Sequence, residues 1–156
     1  MKKTILIFPW ARNAPDGGYC AKNYPFWREV ITSLKEKGVT TIQVSGKGEE
    51  QLNVDEVKEN LPMEVLVNLI RRADSFISVD SFAPHFAYFY KKYGVVIFSK
   101  SDPEIFGYTE NINLLKDKKY LRRQQFEYWN GVKMEPESFV SPEIVVAAAM
   151  KTLNGI

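Results

Sequence analysis

Short apolar runs alternate with segments of helical periodicity along most of this chain, and this alternation constrains the fold more than any other feature. The first run, TILIFPW at 4–10, is β-branched and aromatic, which is typical of a strand buried on both faces. Comparable runs follow at 39–46, 75–79, 94–99 and 111–115, with a shorter and ambiguous one near 54–57. Strands of this kind with helices between them predict a parallel sheet.

Four segments have helical spacing and residues that begin helices. Residues 25–38 begin with Pro, carry apolar side chains three or four residues apart and end at a glycine. Residues 141–153 begin with a Ser cap and a Pro at the first helical position. The other two predicted helices are 62–73 and 82–93. The expected fold is an α/β, three-layer, Rossmann-like, doubly wound parallel sheet, and the sequence predicts a single domain over residues 1–156.

Composition narrows the class of protein. The formal net charge of +2 is too small to indicate a nucleic-acid protein by itself. A single cysteine, Cys20, excludes an internal disulfide and fits a reducing compartment. The apolar run after the basic start MKK is too short for a signal peptide, and no run reaches the ~20 apolar residues of a membrane span. We therefore expect a cytoplasmic protein without a membrane span.

The one histidine of the chain lies shortly after a predicted strand, in SFISVDSFAPHFAYFY at 75–90. Ligands of doubly wound sheets bind at the carboxyl ends of strands. Asp80 ends a strand, Ser81 can cap the next helix, and a helix N-terminus attracts phosphate. His85 could donate a hydrogen bond to the same ligand. The alternative is that Asp80 and Ser81 are only capping residues and that His85 is half-buried packing.

A second strand end also carries residues suited to phosphate. The loop ARNAPDGGYCAK at 11–22 holds Arg12, Asn13, a Gly-Gly pair and Lys22. Glycine lets the backbone approach a ligand, and Arg and Lys pair with phosphate oxygens. The alternative is an ordinary charged surface loop. A third strand end is followed by SKSDPEIFGY at 99–108. Its Ser-Asp-Pro sequence is more typical of a turn than of a ligand-binding loop.

Other motifs are absent or indicate structure. The sequence has no His/Cys cluster, no Gly-x-Gly-x-x-Gly after the first strand and no Walker lysine, so no metal or cofactor is expected. Residues 116–131, KDKKYLRRQQFEYWNG, mix basic and aromatic side chains as a nucleic-acid surface does. The low net charge favours a solvated helix with an aromatic inner face there, so nucleic acid is not the expected partner.

The order of these segments resembles glycosyltransferase family 9, the ADP-heptose:lipopolysaccharide heptosyltransferases. The nucleotide-sugar half of that family has Ala-Asp, a strand, Asp-Ser/Thr-Gly-x-x-His, a helix, a strand and Phe-Gly-Pro-Thr-Asp-Pro. This chain has RRADSFISVDSFAPHFAYFYKKYGVVIFSKSDP at 71–103. The first half is similar too, with Pro9, Lys22, Tyr24-Pro25 and Trp27 where the family has a Pro loop, Lys, Trp-Pro and a helical Trp. The similarity is weakest over 50–60 and 116–139.

Two tight loops of the family are altered in this chain. The family glycine after Asp-Ser is Phe82 here, where a large side chain would crowd the diphosphate or stack on something. The family Phe-Gly-Pro is Phe98-Ser99-Lys100. These departures bear on which ligand the site takes.

The resemblance implies a nucleotide-diphosphate-sugar site. In it Lys22 holds a phosphate with Arg12 near it, and Asp80 accepts hydrogen bonds from sugar hydroxyls. The backbone of Ser81 and Phe82 faces the diphosphate, and His85 supports it. The implied nucleotide-sugar-binding residues are therefore Arg12, Lys22, Asp80, Ser81, Phe82 and His85.

Family members have two Rossmann-like halves in the GT-B arrangement, and the amino-terminal half binds the acceptor and supplies the catalytic base. The resemblance implies that this chain corresponds to the carboxyl-terminal half, and no residue here maps onto the base. The reaction of the whole enzymes is inverting and metal-independent. The expected partners are a nucleotide-diphosphate sugar and either a second copy in a homodimer or a separate acceptor-domain subunit. The contact face is expected to be lined by Trp10, Tyr19, Phe82 and Phe106.

Three functions stay open at this point. The chain is a transferase that works with a partner subunit or has lost activity, a non-catalytic module that binds a nucleotide or nucleotide sugar, or an interaction protein that retains only the fold. Ligand binding separates the first two from the third, and product formation separates the first from the second.

Overall fold

The computed structural model describes residues 1–12, 20–129 and 131–155, which contain a six-stranded sheet flanked by helices. The strands are β1 (Thr4–Phe8), β2 (Thr40–Ser45), β3 (Glu56–Glu59), β4 (Ser75–Val79), β5 (Val95–Phe98) and β6 (Ile112–Leu115). The helices are α1 (Trp27–Glu36), α2 (Met63–Arg72), α3 (Phe82–Phe89), α4 (Pro103–Phe106) and α5 (Pro142–Leu153), with 3-10 turns at Lys118–Tyr120 and Pro136–Ser138.

All strand pairs are parallel, and the strand order is β3-β2-β1-β4-β5-β6. This is the Rossmann order, in which winding reverses between β1 and β4. The predicted doubly wound sheet is confirmed, and so is the ambiguous strand, which forms as β3. The carboxyl ends of β1 and β4 therefore flank the crevice where sheets of this kind bind ligands.

Helices cover both faces of the sheet. Along β1, Ile5 and Ile7 pack in the cluster with α1 and α5, whereas Leu6 and Phe8 pack in the cluster with α2 and α3. The clusters separate in this way because successive side chains of a strand point to opposite faces. The predicted three layers are therefore present, and strands buried on both faces explain the continuous apolar runs in the sequence.

The helices differ from the predicted ones mainly at their ends. Helix α3 stops at Phe89 rather than at 93, and Lys91 just beyond it has a positive φ of 56°, a left-handed conformation that a helix does not continue through. Helix α4 was predicted as a turn. There the side chain of Asp102 accepts a hydrogen bond from the Glu104 N–H at 2.9 Å and Pro103 takes the first helical position, so the turn residues begin one helical turn.

Candidate functional site

A cleft of about 810 Å³ opens at the carboxyl ends of β1 and β4. Its walls come from the loop after β1, the first turns of α3, the region of α4 and residues 122–129. The structure brings all six sequence-predicted site residues to this cleft: Arg12, Lys22, Asp80, Ser81, Phe82 and His85. Their binding roles stay predictions. Asn13, the Gly17-Gly18 pair and Tyr19, which the sequence also singled out, lie outside the described residues.

An ion pair forms the floor of the cleft. Lys22 Nζ lies 3.0 Å from Asp80 Oδ2, and Asp80 as a residue is only 8% exposed. A carboxylate this well buried is stabilised by an opposite charge, because burial alone disfavours its ionised form. The side chain that caps α3 belongs to Ser81, and Asp80 instead pairs with the Lys22 ammonium at the strand end.

The loop that carries Lys22 is fixed by buried groups on either side of it. The Asn23 side-chain oxygen accepts a hydrogen bond from the Ala11 N–H at 2.8 Å, which ties the loop to the chain just after β1. The Tyr24 ring meets Trp27 edge to face at 5.4 Å, and its hydroxyl donates to the Val140 carbonyl at 2.9 Å. Burial raises the pKa of the Cys20 thiol, so this cysteine is a packed neutral group at the cleft wall.

Ser81 caps α3, as predicted. Its Oγ accepts a hydrogen bond from the Ala83 N–H at 3.3 Å. Pro84 has no N–H, so two of the first-turn positions offer no free donor to a ligand. Phe82 is 60% exposed and lines both the cleft and a neighbouring side pocket, so its ring stands at the mouth of the site rather than filling it.

His85 is exposed, so the alternative that it is half-buried packing is wrong. Its Nδ1 lies 2.8 Å from the Tyr108 hydroxyl, and the two rings meet edge to face with centroids 5.4 Å apart. Tyr108 comes from the loop after α4. The histidine on α3 therefore contacts a residue of the loop after α4, 23 positions further along the chain.

The predicted helix over 116–131 is wrong. Apart from the turn at Lys118–Tyr120, the described residues of this segment are irregular. The Arg122 guanidinium donates to the main-chain carbonyls of Gln125, Glu127 and Tyr128 at 2.6, 2.8 and 3.3 Å, and it lies 4.0 Å from the Trp129 ring centroid. Such side-chain bonds to nearby carbonyls compete with helical bonds. Burial lowers the pKa of Arg122.

The Ser99-Lys100 loop, where the sequence departs from the family pattern, fastens this segment to the cleft. The Lys100 carbonyl accepts hydrogen bonds from the Arg122 N–H and from Gln125 Nε2, each at 3.0 Å. Gln125 Oε1 in turn accepts from the Asp102 N–H at 2.9 Å. The Lys100 ammonium is buried and lies 3.0 Å from Glu135 Oε1. The altered loop therefore anchors residues 122–129 against the end of β5.

Sequence reasoning missed the cleft residues of this segment, which are Arg122, Gln125, Phe126, Glu127 and Trp129. Trp129 completes the floor, with Lys22 Nζ 4.7 Å from its ring centroid, a cation–π distance. The mixture of basic and aromatic residues was a usable signal, although it was interpreted as the two faces of a helix.

A side pocket of about 200 Å³ adjoins the cleft at Trp10, Ser81 and Phe82. It lies at the carboxyl ends of β1, β2 and β3. Its other lining residues are mostly apolar and are Phe8, Val44, Ser45, Gly46, Asn60, Leu61 and Leu66. Together the two cavities offer a charged chamber and an apolar one, which suits an elongated ligand with one anionic and one flat apolar part.

Within residues 1–12, 20–129 and 131–155, no three His, Cys, Asp or Glu side chains are grouped so that they could hold a metal ion. In the same ranges, no helix has the length and apolarity that crossing a membrane requires.

Three solved structures share this fold. A family 9 glycosyltransferase from Veillonella parvula is 20% identical, with a TM-score of 0.74 over 99% of this chain and 47% of that chain. The dodecameric iron-containing heptosyltransferase TibC of enterotoxigenic E. coli, in complex with ADP-D-β-D-heptose, is 20% identical, with a TM-score of 0.69 over 99% of this chain and 45% of that one. The E. coli heptosyltransferase WaaC with ADP is 18% identical, with a TM-score of 0.56 over 72% of this chain and 37% of that one.

This chain therefore spans less than half the length of these proteins. No curated protein sequence gives a match. The family model described as glycosyltransferase family 9 (heptosyltransferase) matches residues 1–130, which include the whole sheet and most of the cleft. The sequence, the Rossmann order of the sheet and this match agree, and the chain belongs to glycosyltransferase family 9.

Proposed function

We propose that this chain binds a nucleoside-diphosphate sugar in the cleft, as the donor-binding part of a glycosyltransferase. The observation that carries the proposal is the position of three basic side chains, Arg12, Lys22 and Arg122, on one cleft beside the N-terminus of α3. Basic side chains and a helix N-terminus both favour a diphosphate. The ADP bound to WaaC and the ADP-heptose bound to TibC support this ligand class for a family member.

The proposed roles follow the chemistry of each wall. Lys22 and Arg12 bind phosphate oxygens, and the N–H groups of Ser81 and Phe82 face the diphosphate. One carboxylate oxygen of Asp80 pairs with the Lys22 ammonium, and the other accepts hydrogen bonds from sugar hydroxyls. The apolar side pocket takes the base, because a flat ring gains most from apolar walls.

In the transfer reaction, an acceptor hydroxyl attacks the anomeric carbon as the bond from that carbon to the diphosphate oxygen breaks. The acceptor proton goes to a base, and the nucleoside diphosphate leaves with the bonding electrons. Lys22 and Arg122 would stabilise the charge on the leaving group. We propose that residues 1–156 form one binding domain and that the acceptor and base come from another domain or subunit. A non-catalytic binding module would use the same cleft without forming product.

Thermal unfolding with and without ligand tests the proposal. Inorganic pyrophosphate and the ADP, UDP, GDP and dTDP sugars are supplied at millimolar concentration. A ligand at one hundred times its Kd stabilises the native state by about 2.7 kcal/mol, which raises Tm by about 5–10 °C for a domain of this size. A nucleotide sugar that raises Tm more than pyrophosphate does would support binding of the nucleoside or the sugar in addition to the diphosphate. If every one of these compounds leaves Tm unchanged, the proposed function is wrong.

A further inference from the structure

The contact between Tyr108 and His85 determines which imidazole nitrogen is free for a ligand. The 2.8 Å contact joins the Tyr108 hydroxyl to His85 Nδ1. Among the described residues, the hydroxyl has no second hydrogen-bond partner, and an unprotonated imidazole nitrogen is an acceptor. The hydroxyl proton is therefore best used toward Nδ1. A neutral His85 then carries its own proton on Nε2, because the bond made by one ring nitrogen sets the state of the other.

Tyr108 is itself held firmly enough to orient another side chain. Its carbonyl accepts hydrogen bonds from the Asn111 N–H at 3.1 Å and from Asn113 Nδ2 at 2.8 Å, so its backbone is tied to the start of β6. Its ring stacks on Tyr88 with centroids 3.9 Å apart and an angle of 9° between the planes. At Gly107 a Cβ atom would lie 2.6 Å from the Pro103 carbonyl, so this close approach requires glycine.

A hydrogen-bond donor on the His85 side chain would serve a ligand in the cleft. The first turn of α3 has lost two backbone donors, since the Ala83 N–H is bonded to Ser81 and Pro84 has none. His85 follows directly on the same helix and lines the same cleft. We propose that Tyr108 is a positioning residue that holds His85 with its Nε2–H available to the diphosphate. This inference rests on the proposed function of the cleft.

Matched tyrosine variants test the inference by calorimetric binding of pyrophosphate and ADP. Tyr108→Phe removes the hydroxyl and keeps the ring. The control is Tyr88→Phe, which removes a hydroxyl from the ring stacked on Tyr108, one that donates to Glu110 at 3.4 Å rather than to His85. We expect Tyr108→Phe to weaken pyrophosphate binding about 3- to 10-fold, the effect of one hydrogen bond, and Tyr88→Phe to change it less than 2-fold.

A double-mutant cycle separates positioning from general damage. In a His85→Ala background, Tyr108→Phe should have no further effect on binding, because the group it positions is gone. If Tyr108→Phe weakens binding equally in both backgrounds, the hydroxyl acts independently of His85 and the inference is wrong.

The ligand-free protein gives an independent measurement, because its spectrum contains one histidine. Nitrogen-15 NMR of the neutral imidazole should show Nδ1 unprotonated and Nε2 protonated, with a mixture of tautomers in Tyr108→Phe. A protonated Nδ1 in the wild-type protein would overturn the inference. If the wild-type protein binds neither pyrophosphate nor ADP, the proposed function is wrong, and so is the role of His85 as a donor to the diphosphate. The spectrum still decides whether Tyr108 orients the imidazole ring.

Discussion

At the scale of single residues, Lys22 and Asp80 form an ion pair in the cleft, with 3.0 Å between Nζ and Oδ2. The Lys22 side chain is 22% exposed and lines the cleft, where a diphosphate can reach it, whereas the Asp80 side chain is only 11% exposed. A bound phosphate would therefore add to the contacts of Lys22 rather than replace Asp80. The two residues are structurally coupled, but removing one or the other should affect different parts of the ligand.

We predict that Lys22→Ala weakens diphosphate binding about 10- to 100-fold, because it removes a charge-assisted hydrogen bond of about 1.5–3 kcal/mol. Asp80→Asn should have a smaller effect on a free nucleoside diphosphate and a larger one on its sugar conjugate, because the carboxylate is assigned to sugar hydroxyls. Calorimetric titration of each variant with ADP and with an ADP-sugar measures both differences.

The control for this prediction is Lys3→Ala. Lys3 also pairs with an aspartate, Asp74, at 3.4 Å. It directly precedes β1, however, and therefore lies at the amino ends of the strands, whereas the cleft lies at their carboxyl ends. Its loss should leave both affinities unchanged. If Asp80→Asn weakens ADP and ADP-sugar binding equally, Asp80 does not contact the sugar and its role is only to pair with Lys22.

At the scale of elements, the strands could be predicted from the sequence, whereas the irregular segments that form the walls of the cleft could not. Strands buried on both faces need continuous apolar runs, so their order along the chain was visible. Arg122 and Trp129 escaped prediction because their placement depends on bonds from the guanidinium to three carbonyls and on the distant Lys100 carbonyl. The positions of Asp80 and Ser81 at the cleft could be predicted because a strand end and a helix cap are local sequence patterns.

Two aspartates link neighbouring strands at the amino ends of the sheet. Asp74, just before β4, accepts a hydrogen bond from the Thr4 N–H of β1 at 2.8 Å. Asp55, just before β3, accepts from both the N–H and the hydroxyl of Thr41 in β2, at 2.8 and 2.9 Å. The bond from each threonine N–H is the main cause that lowers the pKa of the carboxyl it meets.

We predict that these carboxylates make stability depend on pH in the acid range. Because the folded pKa of each is below the unfolded value of about 3.9, the stabilisation is present above that pH and is lost as pH falls through the folded pKa. Asp74→Asn and Asp55→Asn should each lower the unfolding free energy at pH 7 by about 1 kcal/mol and reduce its change between pH 5 and pH 2. Urea unfolding at several pH values measures both effects.

Glu36→Gln is the matched change for this prediction, since it also converts a carboxylate to an amide but at the exposed end of α1. It should leave the pH dependence as it is in the wild-type protein. If it reduces that dependence as much as the aspartate variants do, the strand-linking contacts are not its source.

At the scale of the whole molecule, the mouth of the cleft carries aromatic side chains that face water. Phe82 is 60% exposed and Phe126 is 81% exposed, and Phe106 meets Phe126 with ring centroids 5.6 Å apart. All three line the cleft together with Trp10. Grouped exposed aromatics of this kind usually mark an interaction surface.

We predict that the chain self-associates at micromolar concentration, most simply as a two-fold dimer through this aromatic mouth, or binds a separate acceptor-domain subunit there. Phe82→Gly removes the exposed ring and should weaken the dimer by about 10-fold or more, since burying such a side chain contributes roughly 1.5–3 kcal/mol. Phe89→Gly is the matched control, because Phe89 is also on α3 and 77% exposed but lies outside the cleft lining. Sedimentation velocity on the three proteins measures the association.

A wild-type protein that sediments as a monomer and binds no acceptor-domain subunit would contradict the prediction and favour the non-catalytic binding module. A dimer that Phe89→Gly weakens as much as Phe82→Gly does would place the interface away from the cleft.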